Sequence, residues 1–220
     1  MQENLDYWQS VYATSKVPTF PSQFAIFVQS WLSRTDCRIL EFGCGNGRDA
    51  LFFHKMGHKV VVLDQVIGSE LETHSAENSG FSAIQSSIDS AVESVSDYVD
   101  FDKPLALYSR FFQHAIPERD QLIMLQSLSN VLHQDSILFF EFRLADDKEK
   151  PKEFGTTHFR RYQSSEKFIS LLGETNFDCV FTCEGEGFAR YKDEEPYVGR
   201  FVAVPKKKKA DLTLVQGRES

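Results

Sequence analysis

A stretch of alternating glycines carries the clearest chemical signal in the sequence. Gly43, Gly45 and Gly47 lie between an apolar segment predicted as a strand and an amphipathic segment predicted as a helix. Because glycine has no Cβ, such a loop can turn tightly and bring its backbone close to a bound ligand. A dinucleotide fingerprint would need glycine where Arg48 stands. A phosphate-binding P-loop would need Lys and Ser or Thr after the last glycine, so the spacing favours neither class.

The segment Glu41-Phe-Gly43-Cys-Gly45-Asn-Gly47 resembles motif I, E/D-x-G-x-G-x-G, of the class I S-adenosylmethionine-dependent methyltransferases. In that family the loop wraps the methionine and ribose portion of the cofactor. The resemblance therefore implies S-adenosylmethionine as the cofactor, bound by Glu41, Gly43, Gly45 and Gly47. The family also has an acidic residue at the end of the second strand, which accepts hydrogen bonds from both ribose hydroxyls. Asp64 stands at that position.

Four more residues are expected at the cofactor. The family often has an acidic residue near the adenine after the third strand, whereas this sequence offers backbone groups and the hydroxyl of Ser87. The opening segment resembles the N-terminal lid helix of several small-molecule methyltransferases, so Trp8 and Tyr12 would cover the cofactor. Those two aromatics are also helix neighbours (i, i+4), and packing alone could explain them. Arg110, which follows the fourth predicted strand, is the candidate for the cofactor's carboxylate.

Basic side chains follow the fourth and fifth predicted strands, at the edge where open α/β sheets bind ligands. The residues assigned to the acceptor are Arg143, Arg160, Arg161 and Tyr162, with His114 and His158 beside them. Arginine presents a rigid fork of donors that matches carboxylate or phosphate. The pattern therefore predicts a small anionic acceptor. The alternative is that some of these arginines pair with carboxylates of the protein itself.

Methyl transfer from a sulfonium is an in-line displacement, in which the protein mainly aligns the nucleophile and excludes water. An alcohol acceptor would need a base, and His114 and His158 are the candidates. A phosphate or carboxylate would need none, and we expect methylation at oxygen. Residues 108–116 and 158–162 resemble, more weakly, methyltransferases associated with bacterial surface-polysaccharide assembly, which implies an acceptor at a glycan end. The Asn/Asp-Pro-Pro-Tyr/Phe motif of amino-methylating enzymes is absent after the fourth strand, which argues against DNA N-methylation.

Two other hypotheses remain open at this point. An NAD-linked oxidoreductase could use a similar sheet, and Arg48 in place of the third fingerprint glycine argues against it. A non-catalytic module could keep the fold as a binding or scaffold domain.

The elements that would position these residues alternate along the chain. The predicted strands cover 37–42, 59–64, 81–85, 105–108, 136–143, 177–183 and 197–204, and the clearest helices cover 48–56, 119–132 and 164–175. Continuous apolar runs such as 59–64 are typical of parallel strands covered on both faces. Helices separate the first five strands, and a polar connection joins the last two. This pattern indicates an α/β sheet whose last two strands are antiparallel. The resemblance, which covers about residues 7–205, implies a Rossmann-like, seven-stranded, mostly parallel sheet. Its order would be 3-2-1-4-5-7-6, with the last strand antiparallel and helices on both faces.

The chain has 220 residues, enough for one large domain. We expect a methyltransferase domain over residues 1–205, with lid helices within 1–30. The segment 206–220 has five Lys and Arg against two Asp and Glu, and is predicted to be a flexible basic tail or a linker to further domains. Without it, the net charge of the chain falls from −8 to −11. This charge disfavours nucleic acid as a partner and leaves a small anion possible.

The remaining composition favours a cytosolic protein. No apolar run is long enough for a membrane span, and the N-terminus lacks the features of a signal peptide. Cys37, Cys44, Cys179 and Cys183 form no CxxC pair and no metal-ligand spacing, so no metal is expected. They are interpreted as buried, reduced thiols.

Overall fold

The computed structural model describes residues 18–32, 38–150, 152 and 159–207. Its strands are β1 (Arg38–Phe42), β2 (Val60–Asp64), β3 (Phe81–Gln85), β4 (Leu105–Arg110), β5 (Ile137–Arg143), β6 (Phe177–Gly185) and β7 (Val198–Pro205). Its α-helices are α1 (Gln23–Leu32), α2 (Arg48–Lys55), α3 (Ser69–Glu77), α4 (Ala91–Val95), α5 (Glu118–Val131) and α6 (Ser165–Glu174). Each predicted strand and helix is therefore present, with ends that shift by one or two residues.

All seven strands form one sheet in the order β3-β2-β1-β4-β5-β7-β6. The five strands from β3 to β5 are parallel, and β7 pairs antiparallel with both β5 and β6. This is the predicted Rossmann-like arrangement. Because β1, β2, β4 and β5 are parallel, their carboxyl ends meet at one edge of the sheet.

Side chains that alternate along the strands build a separate core on each face of the sheet. One face packs residues such as Leu40, Leu107 and Phe140 against α4, α5 and α6. The other packs Val62 and Phe139 against α1, α2 and α3. Both faces are therefore covered, which explains why the central strands are mostly apolar.

Helix α1 differs from the lid expected within residues 1–30. Phe24, Ala25 and Val28 are fully buried in the core, so α1 is part of the domain itself. The hydroxyl of Ser22 begins the helix as its N-cap by accepting a hydrogen bond from the backbone N–H of Ala25 at 3.0 Å. Residues 1–17 lie outside the described part of the chain.

The predictions for the cysteines and for the C-terminal tail can also be compared with the structure. Cys44 is buried, as predicted. Cys179 and Cys183 are only partly buried because they lie on the edge strand β6, so the prediction of burial was wrong for both. Cys37 lies outside the described residues. Lys206 still belongs to the domain, since its backbone N–H donates to Asn176 and its ammonium to the carbonyl of Gly173. Residues 208–220 lie outside the description. Among the described helices, none has the length and apolar character needed to cross a bilayer.

Candidate functional site

A cavity of about 380 Å³ lies at the carboxyl edge of the parallel strands. Its floor is the loop between β1 and α2 together with the ends of β2 and β4. One wall is the segment that leads into α1, including Pro18, Phe20 and Ser22, and another is the β6–β7 connection with Arg190 and Tyr191. The volume is in the range of small-molecule sites.

Two loop glycines are required by close packing as well as by backbone conformation. Gly43 and Gly47 have φ angles of +76° and +75°, in the left-handed region that side chains rarely adopt. A Cβ on Gly43 would lie 2.5 Å from Cδ2 of Phe112, and one on Gly47 would lie 2.3 Å from Cδ2 of Leu71. The loop backbone is therefore held against its neighbours and leaves its other side open to the cavity.

Asp64 ends β2 beside this loop, where its carboxylate is fixed by backbone donors. Oδ2 accepts the N–H of Gly45 at 2.9 Å, and Oδ1 accepts the N–H of Val66 at 3.1 Å. Burial raises the pKa of Asp64, and the backbone hydrogen bonds oppose that rise. Since each carboxylate oxygen has a second lone pair, the group can still accept hydrogen bonds from a ligand in the cavity.

Glu41 is the most unusual group of the site, because it is buried with little to compensate its charge. Its side chain lines the cavity, the residue is 3% exposed, and Oε2 has no hydrogen-bond partner among the described residues. Burial raises its pKa well above the ordinary value of 4.5, and the carboxylates of Asp49 and Asp64 raise it further. Arg48 and Arg110 oppose this rise.

Glu41→Gln should therefore stabilise the ligand-free protein at neutral pH. The folded protein holds the proton on Glu41 at pH values where the unfolded chain has lost it, so the wild type loses stability as pH rises above about 4.5. Glutamine has no such ionisation. Urea unfolding should show a stability difference in favour of the variant that grows over the pH range above about 5. A difference that is constant over this range would contradict the assignment.

A buried network ties the wall of the cavity to its floor. The carboxylate of Asp49 on α2 accepts hydrogen bonds from the backbone N–H and hydroxyl of Ser22, at 2.7 and 2.8 Å, and from the hydroxyl of Tyr108 at 2.7 Å. The side-chain amide of Asn46, within the glycine loop, also donates to the carbonyl of Pro18 at 3.0 Å. The segment before α1 is thus attached to the same loop that carries the glycines.

Arg110 lies at the end of β4, where the register of three strands decides its partners. Arg110, Glu141 and Arg200 are neighbours across β4, β5 and β7. The carboxylate of Glu141, which is fully buried, accepts Nε of Arg110 at 2.9 Å and Nε of Arg200 at 2.8 Å. The Arg110 guanidinium also lies 4.2 Å from the ring centroid of Phe111, whose φ of 55° is rare for a residue with a side chain. Arg110 therefore reaches the cavity with its Nε already occupied.

Arg143 lines the cavity but is paired with protein carboxylates. Its guanidinium donates to Asp147 at 2.8 Å and also to Glu194, and the backbone N–H of Arg143 donates to Nδ1 of His114 at 3.2 Å. Because Nδ1 accepts this bond, a neutral His114 carries its proton on Nε2. His114 lies at the cavity and is 5% exposed.

Of the other described residues assigned to the acceptor, only one lines the cavity. Arg160 lines the cavity. Arg161 lies outside the lining, and its guanidinium donates to the backbone carbonyls of Gln113 and Ile116, both at 3.2 Å. Tyr162 is also outside the lining, half-buried beneath the ammonium of Lys152.

Ser87, which was expected near an adenine, differs from its neighbours in position. Ser86 and Ile88 line the cavity, whereas Ser87 is exposed and its hydroxyl donates to Asp89. Trp8, Tyr12 and His158 lie outside the described residues.

The structure brings eight of the predicted site residues together at one cavity: Glu41, Gly43, Gly45, Asp64, Arg110, His114, Arg143 and Arg160. Gly47 lies behind the loop, against Leu71.

Several lining residues were missed by sequence reasoning. Ser22 and Asp49 are joined by hydrogen bonds across 27 residues of chain, and Phe20, Arg190 and Tyr191 reach the cavity from distant loops. Only Ser22 carried a readable signal, as a serine directly before an apolar pattern of helical spacing.

Comparison with known proteins supports the fold. No protein-family model matches the chain, and no curated protein matches its sequence. A solved structure of 1,6-didemethyltoxoflavin-N1-methyltransferase from Burkholderia thailandensis, with 1,6-didemethyltoxoflavin and S-adenosylhomocysteine bound, matches with a TM-score of 0.71 and 15% identity. That match covers 93% of this chain and 87% of the other.

Two further structures match over similar lengths. One is a SAM-dependent methyltransferase from Anabaena variabilis, with a TM-score of 0.66, 17% identity, and coverage of 91% of this chain and 93% of the other. The second is the CcbJ methyltransferase from Streptomyces caelestis, with a TM-score of 0.62, 11% identity, and coverage of 90% and 96%. At these identities the likeness concerns the backbone: the chain has the seven-stranded Rossmann-like fold of these methyltransferases.

Proposed function

We propose that this protein is an S-adenosylmethionine-dependent methyltransferase. The observation that carries the proposal is the contact between Asp64 and the glycine loop, in which the carboxylate at the end of β2 accepts the N–H of Gly45 at 2.9 Å. This contact brings an acceptor for ribose hydroxyls next to a backbone that only glycine allows. Both face one cavity, in a fold that other methyltransferases share.

The residues present fit this cofactor chemically. Asp64 would accept both ribose hydroxyls, the loop at Gly43 and Gly45 would lie against the ribose and methionine portion, and Arg110 would face the carboxylate. When bound, the cofactor supplies a methyl group on a sulfonium, which is its own leaving group. The protein's contribution is then to align the acceptor and keep water out, which suits a cavity walled by Phe20, Phe111 and the segment before α1.

Asp64→Ala should weaken binding of S-adenosylhomocysteine by about 2 kcal/mol, or roughly thirtyfold, because charge-assisted hydrogen bonds to the ribose are lost. Isothermal titration calorimetry measures this directly. Asp97→Asn, at an exposed carboxylate outside the cavity lining, is the control and should leave the affinity unchanged. Equal affinity of wild type and Asp64→Ala would remove Asp64 from the site.

The same titration tests the function as a whole. Wild-type protein should bind S-adenosylhomocysteine and should give no heat with NAD⁺. Binding of NAD⁺ alone would favour an oxidoreductase and overturn the proposal. Binding of S-adenosylhomocysteine without methyl transfer to any acceptor would favour a non-catalytic module.

For the acceptor we propose a small or glycan-terminal anion that is methylated at oxygen. Arg160 and Arg190 both line the cavity and support it, and Arg190 also lies 3.8 Å from the carboxylate of Glu195. Arg143 and Arg161 are tied to protein groups, so their part is to hold the walls. A neutral His114 has its proton on Nε2 and is a donor there, which favours a phosphate or carboxylate oxygen over a sugar hydroxyl that needs a base.

Transfer of a labelled methyl group to a panel of sugar acids, sugar phosphates, neutral sugars and amines tests this acceptor class. Arg160→Ala should raise the KM for the anionic acceptor about tenfold or more and leave the affinity for S-adenosylhomocysteine unchanged. A preference for uncharged amines would overturn the acceptor proposal and leave methyl transfer intact.

A further inference from the structure

Glu41 is a buried carboxyl group at the wall of the cavity with an unsatisfied oxygen. The residue is 3% exposed, and Oε2 has no hydrogen-bond partner among the residues that the structure describes. A buried carboxylate in this state loses hydration without gaining hydrogen bonds, which costs far more than burial of the neutral acid. The environment of the ligand-free site therefore favours the protonated form.

Charged side chains from α2, β2 and β4 surround Glu41. Asp49 and Arg48 face it from α2, Asp64 from β2 and Arg110 from β4. Cys44 in the loop and Tyr108, its register neighbour on β4, are also buried, and burial raises the pKa of each well above its ordinary value. Neither is ionised near neutral pH, so they add no charge.

The two arginines do not offset the carboxylates in full. Arg110 donates its Nε to the buried Glu141, and Arg48 lies 3.9 Å from Asp49. Glu41 thus has two carboxylates as neighbours and two arginines that already have carboxylate partners. Burial is the largest cause that raises the pKa of Glu41 well above 4.5, and the carboxylates of Asp49 and Asp64 add to the rise.

A bound ammonium group would reverse this balance. The amino acid portion of S-adenosylmethionine and S-adenosylhomocysteine carries an ammonium, and the orphan oxygen of Glu41 is an acceptor for such a donor. An opposite charge within contact distance favours the ionised carboxylate.

We propose that the Glu41 carboxyl is neutral in the ligand-free protein and gives up its proton when the cofactor's ammonium binds, so that cofactor binding is coupled to proton release. The O–H bond of Glu41 breaks, the carboxylate keeps the electron pair, and the proton passes to the buffer. This inference rests on the proposed function, since it requires a cofactor with an amino acid portion. As a consequence, the affinity rises with pH until the pH exceeds the pKa of Glu41 in the empty site.

The test is a titration of the protein with S-adenosylhomocysteine at about pH 7, in buffers of different ionisation enthalpy. The slope of the observed enthalpy against that ionisation enthalpy gives the number of protons released. We expect net proton release for the wild type and none for Glu41→Gln. Asp120→Asn, which removes another carboxylate of the same cavity, should release as many protons as the wild type.

Two further measurements test whether the ammonium causes the proton release and whether Glu41 is the source of the proton. 5′-Methylthioadenosine, which has the nucleoside and no ammonium, should bind without proton release. Infrared difference spectra should contain a protonated carboxyl band that disappears when S-adenosylhomocysteine is added, and that band should be missing in Glu41→Gln.

The outcomes separate this inference from the proposed function. Binding of S-adenosylhomocysteine without proton release and without a carboxyl band would overturn the inference and leave the function standing. Proton release that persists in Glu41→Gln, or that vanishes in Asp120→Asn, would assign the proton to another group and also overturn it. Complete failure of S-adenosylhomocysteine to bind would overturn the proposed function itself.

Discussion

Glu141→Gln should lower the free energy of unfolding by about 3–5 kcal/mol, because it leaves two buried guanidinium groups without their common carboxylate. Glu141 is fully buried, and the side chains of Arg110 and Arg200 are only 14% and 9% exposed. Glutamine keeps the shape of the side chain, so the loss reports charge more than packing. The melting temperature of a chain of this size should fall by roughly 10 °C.

The chain offers a matched control at a surface ion pair. Glu118 lies 2.8 Å from Lys167, as close as Glu141 lies to its arginines, but both side chains are more than half exposed. Glu118→Gln should therefore change stability by less than about 1 kcal/mol. Equal effects at Glu118 and Glu141 in urea unfolding would mean that the buried cluster is not important for stability.

Gly43→Ala should have the second large effect, by distorting the loop on which the site is built. The new Cβ would lie 2.5 Å from Cδ2 of Phe112 and 2.9 Å from its Cβ. Rotation of the Phe112 side chain cannot relieve the contact with Cβ, so the backbone must move. The N–H of Gly43 donates to the carbonyl of Leu63 at 2.8 Å, and this movement would disturb the end of β2 next to Asp64.

We expect Gly43→Ala to reduce the affinity for S-adenosylhomocysteine at least a hundredfold and to cost about 3 kcal/mol of stability. Gly57→Ala isolates the backbone contribution, since Gly57 has a φ of +93° and a Cβ there would meet nothing within 4 Å. It should cost about 1 kcal/mol and leave the affinity unchanged. A Gly43→Ala protein that binds like the wild type would exclude the loop from the site.

The sheet and the glycine loop were predictable from sequence for a physical reason. Parallel strands buried on both faces are mostly apolar, so a run such as the first four residues of β2 stands out. The three glycines stand out because all have positive φ angles, and at Gly43 and Gly47 a Cβ would also meet a neighbouring side chain. Helix α1 begins within the segment 1–30 that was predicted to hold lid helices, although Ser22 and the apolar spacing after it were a readable signal for a core helix.

The partners of the arginines were not predictable without strand register. Arg110, Glu141 and Arg200 are far apart in the sequence and become neighbours only when β4, β5 and β7 align. Arg143 likewise meets Glu194 across 51 residues of chain. The sequence placed basic side chains after the fourth and fifth strands, but it could not show that Arg110 and Arg143 would pair with buried carboxylates.

The burial and the raised pKa of Glu41 could not be predicted from the sequence either. Its position before the first glycine identified it as a loop acid, but its pKa depends on Asp49 and Asp64, which α2 and β2 bring beside it. Burial and neighbours of this kind are properties of the folded chain.

A crystal structure of the protein with S-adenosylhomocysteine tests the central claim most directly. We expect both ribose hydroxyls on the carboxylate of Asp64, the amino group of the ligand against Glu41, and the sulfur facing the cavity between His114 and Arg160. A ligand bound elsewhere, or bound in this cavity with its ribose away from Asp64, would contradict it.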